Sequence, residues 1–362
     1  MRSLPPLAFK PIFKEKVWGG RKLAAVLGKQ LPPDVSVGES WEISGYGDDI
    51  STATSPEVAG CGLDRLVEQW GEALVGAGSA RAEFPLLVKL IDAADRLSVQ
   101  VHPDDAQARR HGWGNFGKTE CWYVVDAEPG AGIIVGFTRP VEPTEVEGHI
   151  RAGTLEQLLN TIPVRPGDVL LIPGGTVHAI LGGTLLYELQ ETSDTTLRFY
   201  DWGRNDPARP LHIRDSLQVA DLSLRPAPVI RPVVLSSGRG ATCRLRVACR
   251  HFALSEWDVK RGERAVLPPR RSFQVLTVLR GTAQVEADSG SARAGIGDSI
   301  LLPASAGEIR VSGEEDTRFL RAWVPELATE IVGALRERGV PRERIVQLGG
   351  NIPANDLTAC ID

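Results

Sequence analysis

Two segments 130 residues apart carry one pattern: Gly167-Asp168-Val169-Leu170-Leu171-Ile172-Pro173 and Gly297-Asp298-Ser299-Ile300-Leu301-Leu302-Pro303. In each, a Gly-Asp turn opens an apolar run of strand length, and a proline, which cannot donate to a ladder, ends it. A recurrence at this distance makes each half of the chain a β unit of the same kind. The length agrees, because 362 residues exceed what one core usually fills. With 38 Gly and 25 Pro the chain has many tight turns, which suit short strands better than a helical bundle. The expected fold is mainly β, with two related β-barrels and a few helices.

A Pro-rich joint, Arg225-Pro226-Ala227-Pro228-Val229-Ile230-Arg231-Pro232, is a natural boundary, since few ladder contacts run through such a segment. It divides the chain into residues 1–230, with the larger unit and its helical segments, residues 231–325, with the second barrel, and residues 326–362, a C-terminal helix at 327–338 and a tail without an assigned role. The spacing of Leu63, Leu66, Val67, Trp70, Leu74 and Val75 predicts a helix near 63–75. A second helical stretch is expected after Pro143, capped by Thr144, over 146–150 and 155–159. Strands are expected at 85–91, 97–102, 120–125, 132–137, 168–172, 178–181, 185–190 and 197–200.

Charge and motifs exclude several function classes. Forty-one Lys and Arg against 46 Asp and Glu leave a net charge of −5, with no basic block to neutralise a run of phosphates, so no nucleic-acid partner is expected. The five cysteines are odd in number and contain no C-x-x-C, which points to a reducing compartment. With no apolar segment of signal or membrane-span length, a cytoplasmic chain without a membrane partner is expected. Gly112-Trp113-Gly114-Asn115-Phe116-Gly117 matches a dinucleotide fingerprint in letters only, because it leads into a strand and not a helix.

The chemistry-bearing residues lie in the first half. In Gln100-Val101-His102 the two polar side chains are two apart on a strand, so both face one way. Glu120 opens the next strand, and His178 follows the turn Pro173-Gly174-Gly175. A lone histidine is more often a satisfied core residue than a ligand. Two imidazoles, a carboxylate and an amide oxygen together make a mixed N/O set with open positions, suited to Zn²⁺, Mn²⁺ or Fe²⁺ and not to Ca²⁺. The spacing Gly167-x5-Pro173-x-Gly175-x2-His178 resembles the second motif of the cupin superfamily. Gln100-x-His102, followed 18 residues on by Glu120, resembles the first, with glutamine in place of a histidine.

A narrower resemblance rests on Lys10-Pro11-Ile12-Phe13 with Trp18-Gly19-Gly20, Gly38-Glu39-Ser40-Trp41-Glu42, Leu97-Ser98-Val99-Gln100-Val101-His102-Pro103, Gly117-Lys118-Thr119-Glu120, Ile172-Pro173-Gly174-Gly175-Thr176-Val177-His178-Ala179 and Ser193-Asp194-Thr195-Thr196-Leu197-Arg198. Across roughly residues 8–325 the chain resembles the class I mannose-6-phosphate isomerases in their short bacterial form. The resemblance implies two cupin-type, jelly-roll barrels and a zinc-dependent interconversion of mannose 6-phosphate and fructose 6-phosphate. One Zn²⁺ per chain would be held by Gln100, His102, Glu120 and His178, with Arg198 at the family's active-site arginine. Longer members carry a histidine where Gly117 stands, so no role of that histidine is carried over.

Moving a proton between C1 and C2 through an enediolate requires a base, stabilisation of negative oxygen and an anchor for the phosphate. Arg198 and Lys118 are the cationic candidates, and Lys89, embedded in an apolar strand, is costly there unless it faces a polar cavity. Asp194 and Glu188 are the acidic candidates, for proton transfer or for orienting a hydroxyl; their bland alternative is pairing with Arg198 or nearby loops. Ser98 and Trp18 are candidate substrate contacts, and Trp41 is similar, although a buried tryptophan is usually core. At the place of His178 in the second barrel stands Glu308, so that barrel is expected to bind no metal and to serve packing, dimerisation or pocket shaping. The expected partner is a small hexose phosphate and the expected assembly a monomer or homodimer. Alternatives are a metal-dependent cupin enzyme acting on another sugar phosphate and a non-catalytic cupin that binds one.

Overall fold

The Gly-Asp repeat folds the same way in both halves. In this computed structural model, which describes residues 4–77, 83–204, 206–223, 229–238, 240–350 and 355–361, both glycines have positive φ, +90° at Gly167 and +83° at Gly297. Gly167 N–H donates to Val124 O and Gly297 N–H to Val278 O, each at 2.8 Å; each aspartate carbonyl then accepts from that same valine, at 2.9 and 3.0 Å. The two aspartate carboxylates close the turns alike, onto Arg165 N and Gly295 N. The strands that follow, Val169–Ile172 and Ser299–Leu302, pair antiparallel with Glu120–Ala127 and Gln274–Arg280. Residues 225–228 of the Pro-rich joint lie outside the described residues.

Each half is a pair of facing antiparallel sheets, the jelly-roll form of the expected barrel. In the first, a six-stranded sheet runs in the order Val169–Ile172, Glu120–Ala127, Thr184–Glu191, Leu86–Ala93, Ile12–Gly20, Val37–Ile43. It faces a five-stranded sheet ordered Leu159–Pro163, Gly132–Phe137, His178–Ile180, Val99–Val101, Leu197–Tyr200, with Trp18, Trp122, Val124, Ile133, Val135 and Ile180 packed between them. The second half faces an eight-stranded sheet with a four-stranded one across Trp257, Leu276, Phe319, Val285 and Val311. Leu7–Lys10 belongs to the eight-stranded sheet through Leu7↔Leu301, so the start of the chain laces the two halves together. The outer faces of the two large sheets share one further core, where Leu90, Tyr187 and Leu189 meet Leu254, Val275 and Leu320. Each such side chain contributes about 1.5–3 kcal/mol on burial, which makes this seam part of the fold and not a loose contact.

Several expectations are revised. The helix at 63–75 is two, Leu63–Trp70 and Glu72–Val75, broken where Gly71 takes φ +46°. The next helix is Pro143–Ala152 with Glu142 as its N-cap, so Thr144 lies inside the first turn, and Pro143 sits where its missing N–H costs nothing. Residues 155–159 are not a helix: Leu155–Gln157 is a single 3₁₀ turn, and Leu159–Pro163 is a strand recruited by Gly132–Phe137. Helices at Asp105–His111 and Ile213–Val219 were not anticipated, nor were Arg342–Gln347 and Asp356–Ile361 in the tail. The five cysteines are free thiols, and among the described residues no helix is long and apolar enough to cross a membrane.

Candidate metal centre and active site

Period-two alternation selects the side chains that enter the first sandwich. On Leu86–Ala93, residues Leu86, Val88 and Leu90 join the seam between the halves, which turns Lys89 and Ile91 inward. On Glu120–Ala127, Cys121 and Tyr123 go to the seam and Glu120 and Trp122 inward; on Thr184–Glu191, Tyr187 and Leu189 go outward and Glu188 inward. Register then brings the inward set together, with Glu188 opposite both Lys89 and Trp122. From the facing sheet, Gln100 lies opposite His178 and Arg198.

His102, Glu120 and His178 are each at most 1% exposed, and their ligand atoms lie within 4.8 Å of one another. Glu120 Oε1 is 3.4 Å from His178 Nε2 and Oε2 is 3.7 Å from His102 Nε2. The Nδ1 atoms of His102 and His178 donate to the carbonyls of Thr195 and Thr176, both at 2.8 Å. A carbonyl only accepts, so Nδ1 carries the ring proton and each Nε2 is left unprotonated, able to accept from Lys118 Nζ or Gln100 Nε2 or to bind a cation. Burial holds His178 down to about 3 and His102 well below the usual imidazole range, so both are neutral at neutral pH.

These residues fit a divalent cation. Glu120 Oε1 is buried and finds no hydrogen-bond partner among the described residues. Burial pushes the Glu120 carboxyl up to about 8 against the pull of Lys118, and a dication at the same point would hold it ionised. Lys118 Nζ lies 2.5 Å from Glu120 Oε2 and 3.1 Å from His102 Nε2, so positive charge already rests against two of the donors. Gln100 Nε2 is 3.3 Å from His178 Nε2, and a half-turn of the amide brings its oxygen to that place. Two imidazoles, a carboxylate and an amide oxygen suit a borderline ion of the zinc type.

Gln100 and Lys118 also line a cleft of about 260 Å³, whose five cations, Lys16, Lys89, Lys118, Arg198 and Arg209, outnumber its carboxylates, Glu39, Glu188 and Asp194. Lys89 Nζ lies 3.4 Å from Glu188 Oε1, 3.5 Å from Asp194 Oδ1 and 4.7 Å from the centre of the Trp41 ring. Burial opposes its charge, but Glu188, Asp194 and Glu39 outweigh burial and raise its pKa. The two carboxylates thus pair with Lys89 and not with Arg198. Glu188 Oε2 accepts from Trp122 Nε1 at 2.8 Å; burial works against its charge, while Lys118 and Lys89 hold it below the usual carboxylate range. Arg198 donates through Nε to Ser98 Oγ at 3.3 Å and through Nη1 to Pro210 O at 3.0 Å, and burial together with Arg209 lowers its pKa. Trp18 does double duty, 4% exposed in the core and on the cleft wall.

Three cleft residues escaped the sequence reading. Lys16 stands two before Trp18, so extending the alternation back along that strand finds it, and Glu39, from the neighbouring strand, pairs with it at 3.1 Å. Arg209 reaches in from an irregular loop, held by Asp201 at 3.0 Å, where periodicity carries no signal. In the second half, Glu308 is half-exposed and paired with Arg310.

Residues 7–128 match the family described as phosphomannose isomerase type I, catalytic domain, and residues 243–321 the mannose-6-phosphate isomerase cupin domain. A Bacillus subtilis protein, mannose-6-phosphate isomerase ManA, is 34% identical over 311 residues, 85% of this chain and 96% of that one. The chain belongs to the type I phosphomannose isomerase family. A Streptococcus mutans member, mannose-6-phosphate isomerase, is 36% identical over 301 residues, 82% of this chain and 92% of its own length. The crystal structure of the mannose 6-phosphate isomerase from Bacillus subtilis superposes with a TM-score of 0.80 at 33% identity, over 88% of this chain and 99% of that one. Residues 322–362 lie outside both matched segments.

Proposed function

We propose that the chain interconverts mannose 6-phosphate and fructose 6-phosphate through a cis-enediol(ate), with one Zn²⁺ held by Gln100, His102, Glu120 and His178. The observation that carries this reading is a buried His-Glu-His group beside a cationic cleft in a member of this family. The reaction moves one proton and shifts a carbonyl between adjacent carbons, so substrate is oxidised at C2 as it is reduced at C1 and no outside oxidant is needed. When bound, zinc supplies Lewis-acid stabilisation of negative charge on the sugar oxygens. Lys118, 4% exposed, adds a fixed ammonium where that charge develops. Arg198, oriented by Ser98 and flanked by Arg209, takes the phosphate, which relieves the repulsion between the two guanidiniums. Lys89 and Trp18 shape the wall against which the sugar lies.

Glu188 Oε1 is the proton carrier in this scheme. It faces the cleft, makes no hydrogen bond among the described residues and is kept ionised by its lysine neighbours. Asp194, half-exposed at the rim, orients a sugar hydroxyl. Glu188→Gln is expected to keep the metal and lower kcat by about 10²–10⁴-fold, the range of a lost general base. A Gln variant with full kcat in the coupled assay would transfer the role to another group.

Residues 1–230 carry this chemistry in the proposal, residues 231–325 serve packing, and the protein works in the cytoplasm as a monomer or homodimer on a small hexose phosphate. The deciding experiment is a coupled assay with mannose 6-phosphate before chelation, after chelation, and after return of zinc. Activity should vanish and return; Arg198→Ala should keep the metal and lose rate. Turnover indifferent to chelation would reject the scheme.

A further inference from the structure

Behind the segment that carries Lys118 and Glu120, on the seam between the halves, lies another group of potential ligands. We infer that Asp105, Glu191 and His251 form a second divalent-cation site, suited to Mn²⁺ or Zn²⁺, that joins the two halves of the chain. It shares no residue with the centre described above. The three ligand atoms lie within 4.8 Å of one another.

The buried member points to a ligand. Glu191 ends the strand Thr184–Glu191 and is 1% exposed. Its Oε2 accepts the Thr119 N–H at 2.9 Å, whereas Oε1 has no hydrogen-bond partner among the described residues. That orphaned oxygen nevertheless lies 2.9 Å from His251 Nδ1, with no N–H directed along the line. Two donors bound to one ion at about 2.0–2.1 Å each, at angles of about 90–110°, stand roughly 2.8–3.4 Å apart, so the close pair without a hydrogen bond has the spacing of neighbouring ligands.

The other two members are held in place by independent contacts. Asp105, the first residue of the helix Asp105–His111, accepts the Gly117 N–H through Oδ1 at 2.7 Å, and its Oδ2 is 3.9 Å from Arg109. His251 lies in the turn between Ala241–Ala248 and Ala253–Val259, closed by Cys249 N–H to Phe252 O at 2.9 Å. Its neighbour Arg250 donates twice to Asp356 in the last helix, at 2.9 and 2.6 Å, so the tail clamps the turn that presents the histidine. Asp105 and His251 keep 29% and 14% side-chain exposure, which leaves water access for the remaining coordination positions. One imidazole and two carboxylates form a mixed set for Mn²⁺ or Zn²⁺. Since Asp105 and Glu191 hold Gly117 and Thr119, an ion here stiffens the backbone on both sides of Lys118.

The test is a Mn²⁺ titration of the full chain followed by electron paramagnetic resonance, with elemental analysis of dialysed protein. Wild type should bind two ions per chain; His251→Ala and Asp105→Asn should each bind one, and Asp105→Asn decides the matter if His251→Ala fails to fold. In His178→Ala one ion should remain, with a Mn²⁺-dependent rise in Tm that disappears in the His178→Ala/His251→Ala double variant. One ion in wild type, or two in Asp105→Asn, overturns the site.

Discussion

His178→Ala is expected to yield protein without metal at the catalytic centre and to lower kcat/KM for mannose 6-phosphate by at least about 10³-fold. The substitution removes one of two neutral Nε2 donors and the contact that holds Gln100 in place. What remains is one imidazole, His102, the loosened Gln100 amide, and Glu120 beside Lys118 Nζ at 2.5 Å, whose charge the ammonium already offsets, so the remaining set holds a cation far less tightly. Lewis-acid stabilisation is worth several kcal/mol, and 1.36 kcal/mol is one factor of ten in rate. Because His178 is fully buried, truncation also opens a cavity at a cost of about 2–4 kcal/mol. His178→Phe fills the space without offering a donor and should show the same double loss, with circular dichroism reporting the fold. Either variant retaining both metal and turnover would remove His178 from the ligand set.

What was legible in the chain follows from where information is local. The Gly-Asp repeat was readable because a turn, a strand and a stop are encoded in seven adjacent letters, and both copies fold with the same hydrogen bonds. Lys89 was readable because a lysine among Leu86, Leu87, Val88, Leu90 and Ile91 must face something polar, and Glu188 and Asp194 are that something. Its partner was not, since which carboxylate lies opposite depends on a register set by strands a hundred residues apart. Residues 155–159 misled because their apolar spacing fits a helix or a buried strand equally, and pairing with Gly132–Phe137 decided it. Arg209 and His251 stand on loops, where neither period two nor period 3.6 marks a residue, and only the folded chain shows what they face.

Lys118→Met should separate metal binding from catalysis in opposite directions. Lys118 Nζ is 3.1 Å from His102 Nε2 and 2.5 Å from Glu120 Oε2, so it competes with a cation for both donors and repels it as a like charge. Methionine keeps most of the aliphatic length in a position only 4% exposed and removes the charge. Zinc affinity in the variant should therefore be equal to or higher than that of wild type, measured by competition with a chelating dye. Catalysis should move the other way. Loss of one preorganised donor to a developing oxyanion costs about 10²–10³-fold in kcat, and a group acting only on the transition state leaves KM nearly unchanged. Weaker zinc binding in Lys118→Met would mean that the ammonium orients Glu120 as a ligand, and an unchanged kcat would mean that it does not act on the sugar oxygens at all.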